Sequence, residues 1–264
     1  MERPPEISPG AVFMFGDNFF CAQKAHVIRA ARRSGVSADH DGTMNASSIN
    51  RPLRAVGAVL AMLVALLMSG SSGVAHAAVA ATAGDVLSIG DPDAPGQIDL
   101  YLDPMCPYSG KFVRTHGDEI GRRLEAGTLR VNLRFVAFLD KYSASGTYDI
   151  RAIYAAYVVA DQSRSSAVTW RFIEAIYAKD HQPEEGGPTD LSNDQLADIA
   201  NQVGAPPLAQ DLIRIGLPIG FDSHVVAANN LVVLHQFPEP GVPLVVINDQ
   251  PVDEDSDWLA QLPG

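Results

Sequence analysis

The sequence predicts an α/β fold in which helices cover a small mixed β-sheet and a helical block separates two sheet-forming halves. Three observations predict it. Two strand-like runs, QIDLYLD (97–103) and LRVNLRFVAFL (129–139), flank a helix-like segment. A long stretch of helical periodicity then runs from about 145 to 236. A third apolar β-type run, LVVIN (244–248), follows it with a turn and a short returning segment.

The elements follow in order. VLSIG, before the Pro/Asp/Gly cluster DPDAPG, reads as a short first strand. QIDLYLD has a partly alternating strand pattern and Pro104 ends it. Pro107 suits the first turn of a helix, where its missing N–H has no partner to lose. That helix runs to about Ala126, with Phe112, Ile120 and Leu124 on one face, and Gly127 stops it. In the second strand Leu129, Val131, Leu133 and Phe135 alternate with Arg130, Asn132 and Arg134. YDIRAIYAAYVVADQ and SSAVTWRFIEAIYAK read as amphipathic helices, with Tyr148, Tyr154, Tyr157, Trp170, Phe172 and Tyr177 as their core. HQPEEGGPTDLS is a polar loop. SNDQLADIANQVG starts on a serine cap and ends in glycine, and APPLAQDLIRIG and FDSHVVAANNLVVLHQF are further helices. LVVIN is a buried strand, Asp249–Gln250 a tight turn, PVD the returning strand and WLAQL a final short helix.

The 264 residues are 47% apolar and 19% charged, so a packed core is expected rather than disorder. The net charge of −12 argues against nucleic acid, whose affinity comes from Lys and Arg on phosphates. The N-terminal part carries an export signal. Residues 55–68, AVGAVLAMLVALLM, are apolar and uncharged, short for a bilayer span but of the length of a signal core. Arg51 and Arg54 precede it, and Ala75-His76-Ala77 follows as a small-x-small cleavage pattern. Residues 44–77 therefore read as a signal peptide starting at Met44, with 1–43 an over-extended frame; the alternative is a cytoplasmic tail before a short uncleaved anchor. On either reading the domain 78–264 faces an oxidising cell-envelope, periplasm-like or secreted space, and Cys21 is not part of it. Cys106 is then its one cysteine, which leaves no internal disulfide.

The order of elements, with Asp103-Pro104-Met105-Cys106-Pro107-Tyr108 at the first strand–helix junction and Gly241-Val242-Pro243-Leu244-Val245-Val246-Ile247-Asn248 before the late strand, resembles the thioredoxin fold with a helical insertion. More narrowly, it resembles the DsbA-like thiol-disulfide oxidoreductases over about residues 80–264. The resemblance implies a catalytic Cys106, supported by Pro107, Tyr108 and Ser109, and a cis-proline loop, Val242–Pro243, that binds an extended substrate chain. It implies client protein thiols or disulfides as partners. The chain departs from the family pattern in two places. Ser109 replaces the second cysteine of Cys-x-x-Cys, and Leu100 stands six positions before Cys106, where many relatives have a buried acid. Alternation puts Asp99 and Asp103 on the side of Tyr101, so neither is assigned as that acid.

A cysteine at a helix N-terminus is held toward the thiolate by free N–H groups and the helix dipole. Pro107 is expected to leave its sulfur exposed for attack on a substrate disulfide. Ser109 cannot resolve the resulting mixed disulfide, although its hydroxyl is placed to hydrogen-bond the thiolate. Two readings follow: a monothiol oxidoreductase or isomerase whose mixed disulfide is released by an external thiol or redox partner, and a redox-inactive binding module. Tyr108 shapes the client-facing surface or packs. His116, His181, His224 and His235 lack metal-ligand spacing, there is no glycine-rich nucleotide loop, and no cofactor is expected.

Overall fold

The computed structural model describes residues 79–217 and 220–263. The readings of the signal segment, the start site and Cys21 lie outside them. Among the described residues no helix is long and apolar enough to cross a membrane.

Six strands form one sheet: β1 (Val79–Ala83), β2 (Val86–Gly90), β3 (Gly96–Leu102), β4 (Leu129–Phe135), β5 (Leu244–Ile247) and β6 (Gln250–Val252). Their spatial order is β1-β2-β4-β3-β5-β6. β3 and β4 are parallel, in register from Gly96 with Leu129 to Leu102 with Phe135, and helix α1 (Pro107–Glu125) makes the crossover between them. β5 runs antiparallel to β3. This is the mixed α/β sheet the sequence predicts. β4 keeps its alternation: Leu129, Val131, Leu133 and Phe135 are buried while Arg130, Asn132 and Arg134 are half-buried.

Two local expectations change. Val79–Ala83 is an edge strand paired with β2, which sequence reading treats as the region after a cleavage site. Its alanine-rich VAATA carries no β signal of its own; pairing through the two-residue turn at Gly84 (φ 61°) supplies it. At the other edge the turn is Asn248–Asp249, one residue earlier than Asp249–Gln250, because Ile247 pairs with Gln250. Both turn residues have positive φ (51° and 61°), which Asn and Asp tolerate and a tight hairpin requires.

The helical block comprises α2 (Tyr148–Ser163), α3 (Ser166–Ile176), α4 (Asn193–Gln202), α5 (Pro207–Ile215) and α6 (Ser223–Leu234). Ser192 caps α4 in a full capping box with Gln195. α2 is buried almost all round rather than amphipathic, since Ala152 to Ala160 are all inside. Buried polar groups fasten the block to the sheet. Asn230 of α6 donates to the carbonyls of Asp85 (2.8 Å) and Phe135 (3.0 Å). Tyr157 of α2 donates to the same Asp85 carbonyl (2.8 Å). Trp170 of α3 donates to Gly117 of α1 (3.0 Å). At the C-terminus a 3-10 turn, Trp258–Gln261, buries Trp258 in a stack on Phe112 of α1.

Replacing Asn230 by Leu leaves the Phe135 carbonyl at the end of β4 without its side-chain donor, while the Asp85 carbonyl keeps the Tyr157 hydroxyl. We expect Asn230→Leu to lower unfolding free energy by about 1–3 kcal/mol, read by urea denaturation.

Candidate active site

β3 ends at Leu102, and the next seven residues build the site. Asp103 turns inward and is fully buried. Its Oδ1 accepts the N–H groups of Met105 (3.0 Å) and Cys106 (3.2 Å), and its Oδ2 accepts that of Leu139 (3.2 Å). The strand alternation that would set Asp103 beside Tyr101 stops at Leu102, so the side chain is free to fold under the loop it caps. Cys106 is the N-cap of α1 (φ −63°, ψ 121°), with Pro107 in the first turn and no acidic residue there to oppose an anion. Ser109 is buried, and its hydroxyl accepts from the N–H of Asp103 (3.3 Å), tying the strand end to the helix.

Two further residues lock the loop. Gln182 donates to the carbonyls of Pro104 (3.1 Å) and Cys106 (3.0 Å). Arg114 holds Gln182 through its Oε1 (3.0 Å) and reaches the Tyr177 carbonyl (2.6 Å). Gly110 lets them approach, because a Cβ at that position would collide with Gln182 Oε1.

On the other side, the Val242–Pro243 peptide is cis and the Val242 carbonyl oxygen lies 3.8 Å from Cys106 Sγ. The fold thus closes the gap between positions 106 and 242. Tyr108 is the exposed member of the group at 43%. The sulfur is not exposed as the sequence suggests: Cys106 is 0% exposed and disulfide-bonded in this structure. The chain's other cysteine, Cys21, lies outside the described residues.

Comparison with known proteins agrees with this geometry. Residues 82–260 match the family model Thioredoxin_4, described as thioredoxin. The chain belongs to the DsbA-like thioredoxin family. Reduced DsbA of Mycobacterium tuberculosis is 26% identical, with a TM-score of 0.57 over 67% of this chain and 90% of that one. MdbA, a thiol-disulfide oxidoreductase of Corynebacterium matruchotii, is 23% identical with a TM-score of 0.60 over 71% and 92%, a likeness of fold. The serine/threonine-protein kinase PknE of Mycobacterium tuberculosis is 33% identical over 181 residues. That match takes in 68% of this chain and 32% of PknE, so the chain spans about a third of the length of that relative.

Beneath the Cys106 loop this DsbA-like domain carries a second buried acid that sequence reading misses. Asp149, in the first turn of α2, is fully buried against Asp103. As a carboxylate neither of its oxygens has a donor among the described residues. Protonated, it becomes a donor and Asp103 its acceptor, so the pair holds one proton between two carboxyls. Burial pushes the Asp103 carboxyl up to about 7 against the pull of its three backbone N–H bonds. Burial, then the charges of Asp103 and Asp140, push Asp149 well above the carboxylate range. The hydroxyls of Tyr148 and Tyr177 close the same polar pocket without a hydrogen-bond partner among the described residues, and burial pushes both phenols up. The signal for Asp149 was present in its spacing: Ala152, Ile153 and Ala156 share its helix face, so an acid stands on the apolar side. Gln182, in a polar loop, carried no comparable signal.

A carboxyl whose folded pKa is raised binds its proton more tightly folded than unfolded. Its contribution therefore favours the fold at low pH and is lost as pH rises from about 4 through about 7. Asp149→Asn keeps a donor for Asp103 and removes the shared proton. Urea unfolding between pH 4 and 8 is expected to show the variant gaining on the parent by on the order of 1–4 kcal/mol as pH rises. Parallel curves would show that the two carboxyls do not share a proton.

Proposed function

We propose that this domain is an exported thiol-disulfide oxidoreductase or isomerase in which Cys106 is the nucleophile and the resolving thiol comes from outside the Cys-Pro-Tyr-Ser site. The observation that carries the reading is the setting of Cys106: N-cap of α1, with its sulfur 3.8 Å from the Val242 carbonyl of the cis-proline loop. The helix N-terminus lowers the cost of a thiolate. That thiolate attacks a client disulfide. One S–S bond forms between Cys106 and a client sulfur, and the second client sulfur leaves as a thiolate. Ser109 carries an oxygen where a dithiol site carries its second sulfur, and that oxygen is committed to the Asp103 N–H. Release therefore requires a thiol of the client, a small thiol or a redox partner, which attacks the mixed disulfide and returns Cys106 to the thiolate. Isomerisation of client disulfides needs no net oxidant under this scheme. The likeness to DsbA of Mycobacterium tuberculosis supports the oxidoreductase reading, and the signal-type segment 44–77 carries the proposal of export.

Val242 and Pro243 form the proposed client-binding loop, offering backbone groups to an extended chain in strand-addition fashion. Tyr108 is exposed beside Cys106 and contributes the apolar side of that surface.

Three measurements test the reading. After reduction, Cys106 should alkylate with an apparent pKa below the ~8.5 of a free cysteine; titration at or above that value refutes a helix-activated thiolate. Cys106→Ala should abolish exchange with a glutathionylated peptide, and retained activity removes the residue from the chemistry. Ser109→Cys should raise insulin reduction by dithiothreitol at least ~10-fold by restoring an internal resolving thiol.

A further inference from the structure

A cavity of about 580 Å³ opens on the sheet face that carries Asp99, Tyr101 and Arg134. Strand register puts these side chains together. Tyr101 pairs with Arg134 across β3–β4, and Asp99 pairs with Val246 across β3–β5. Phe237 and Pro238, just after α6, form the facing apolar wall, with Phe237 edge-on to the Tyr101 ring at 5.7 Å.

Two polar atoms of this lining are unmet: Asp99 Oδ1 and Arg134 Nε are buried and have no hydrogen-bond partner among the described residues. The Arg134 guanidinium lies over the Tyr101 ring at 5.8 Å, and among the described residues it forms no ion pair. Opposite charges on adjacent strands ordinarily pair. Here Asp99 and Arg134 are diagonal neighbours, an offset that sets side chains ~7–8 Å apart. A small group able to hydrogen-bond to each would span that gap. A buried donor and a buried acceptor left unmet are each destabilising, and a ligand supplying both partners relieves that cost. The volume falls in the ~300–1,000 Å³ range of small-molecule sites.

We propose that this cavity binds a small apolar zwitterion of the α-amino-acid type. Its carboxylate pairs with Arg134, its ammonium with Asp99, and its side chain rests on Phe237, Pro238 and Val246. The site is separate from Cys106 and does not depend on the thiol chemistry.

Equilibrium dialysis of the full chain with L-phenylalanine tests it. One equivalent is expected to bind saturably at millimolar or lower concentration. L-phenylalaninamide, which lacks the carboxylate, and N-acetyl-L-phenylalanine, which lacks the ammonium, should each bind at least ~10-fold more weakly. Arg134→Gln should weaken L-phenylalanine to a similar degree, yet leave amide binding unchanged, and Asp99→Asn should do the same for the N-acetyl compound. Absence of saturable binding by the parent chain, equal binding of all three compounds, or unaltered L-phenylalanine binding by folded Arg134→Gln each overturns the proposal. The analogue comparison uses the parent chain and so holds even where a variant fails to fold.

Discussion

The Asp103 carboxyl is the fixed point around which the site is assembled. It accepts N–H groups from Met105, Cys106 and Leu139, joining the end of β3, the start of α1 and the chain beyond β4. Any shift of that carboxyl moves the N-cap sulfur relative to the cis-proline loop. Ser109 and Gln182 reinforce the arrangement from either side, one through the Asp103 N–H and the other through two loop carbonyls. Burying such a carboxyl is costly, and the three backbone donors offset that cost only in part. A second acid at Asp149 resolves the remainder by holding a proton where two charges cannot coexist.

The acids of this site stand at other positions than the family pattern sets. The acid-bearing position six residues before the cysteine is Leu100 here, part of the apolar core. Acidity is supplied instead from Asp103, three residues before Cys106, and from Asp149, contributed by the inserted helical block. The block therefore does more than cover the sheet. Through α2 it places an acid beneath Cys106, and through Asn230 and Tyr157 it anchors to the carbonyls of Asp85 in the β1–β2 turn and of Phe135 at the end of β4.

Much of this was legible in the chain. The alternation of 129–135, the prolines at 104 and 107 and the late LVVIN run locate β3, β4, α1 and β5, because each pattern reports a local preference that packing does not overrule. The weak β1 was not legible, since VAATA becomes a strand only by pairing with β2. The β5–β6 turn shifted by one residue because backbone handedness, rather than composition, chooses which two residues take positive φ. Asp103 was misread for a related reason: two-residue periodicity holds only while the strand continues, and the strand stops one residue before it.

By itself the sequence determined the fold class, the family, the position of Cys106 at a helix start and the absence of a second sulfur at Ser109, because these are properties of residue type and local order. Tertiary structure decided which groups face the sulfur and which face each other. The approach of Val242 to Cys106, the pairing of Asp103 with Asp149 and the unpaired Asp99 and Arg134 of the far cavity join residues dozens of positions apart or on neighbouring strands. Burial fixes their protonation and hydrogen bonding, and burial is a property only the assembled chain possesses.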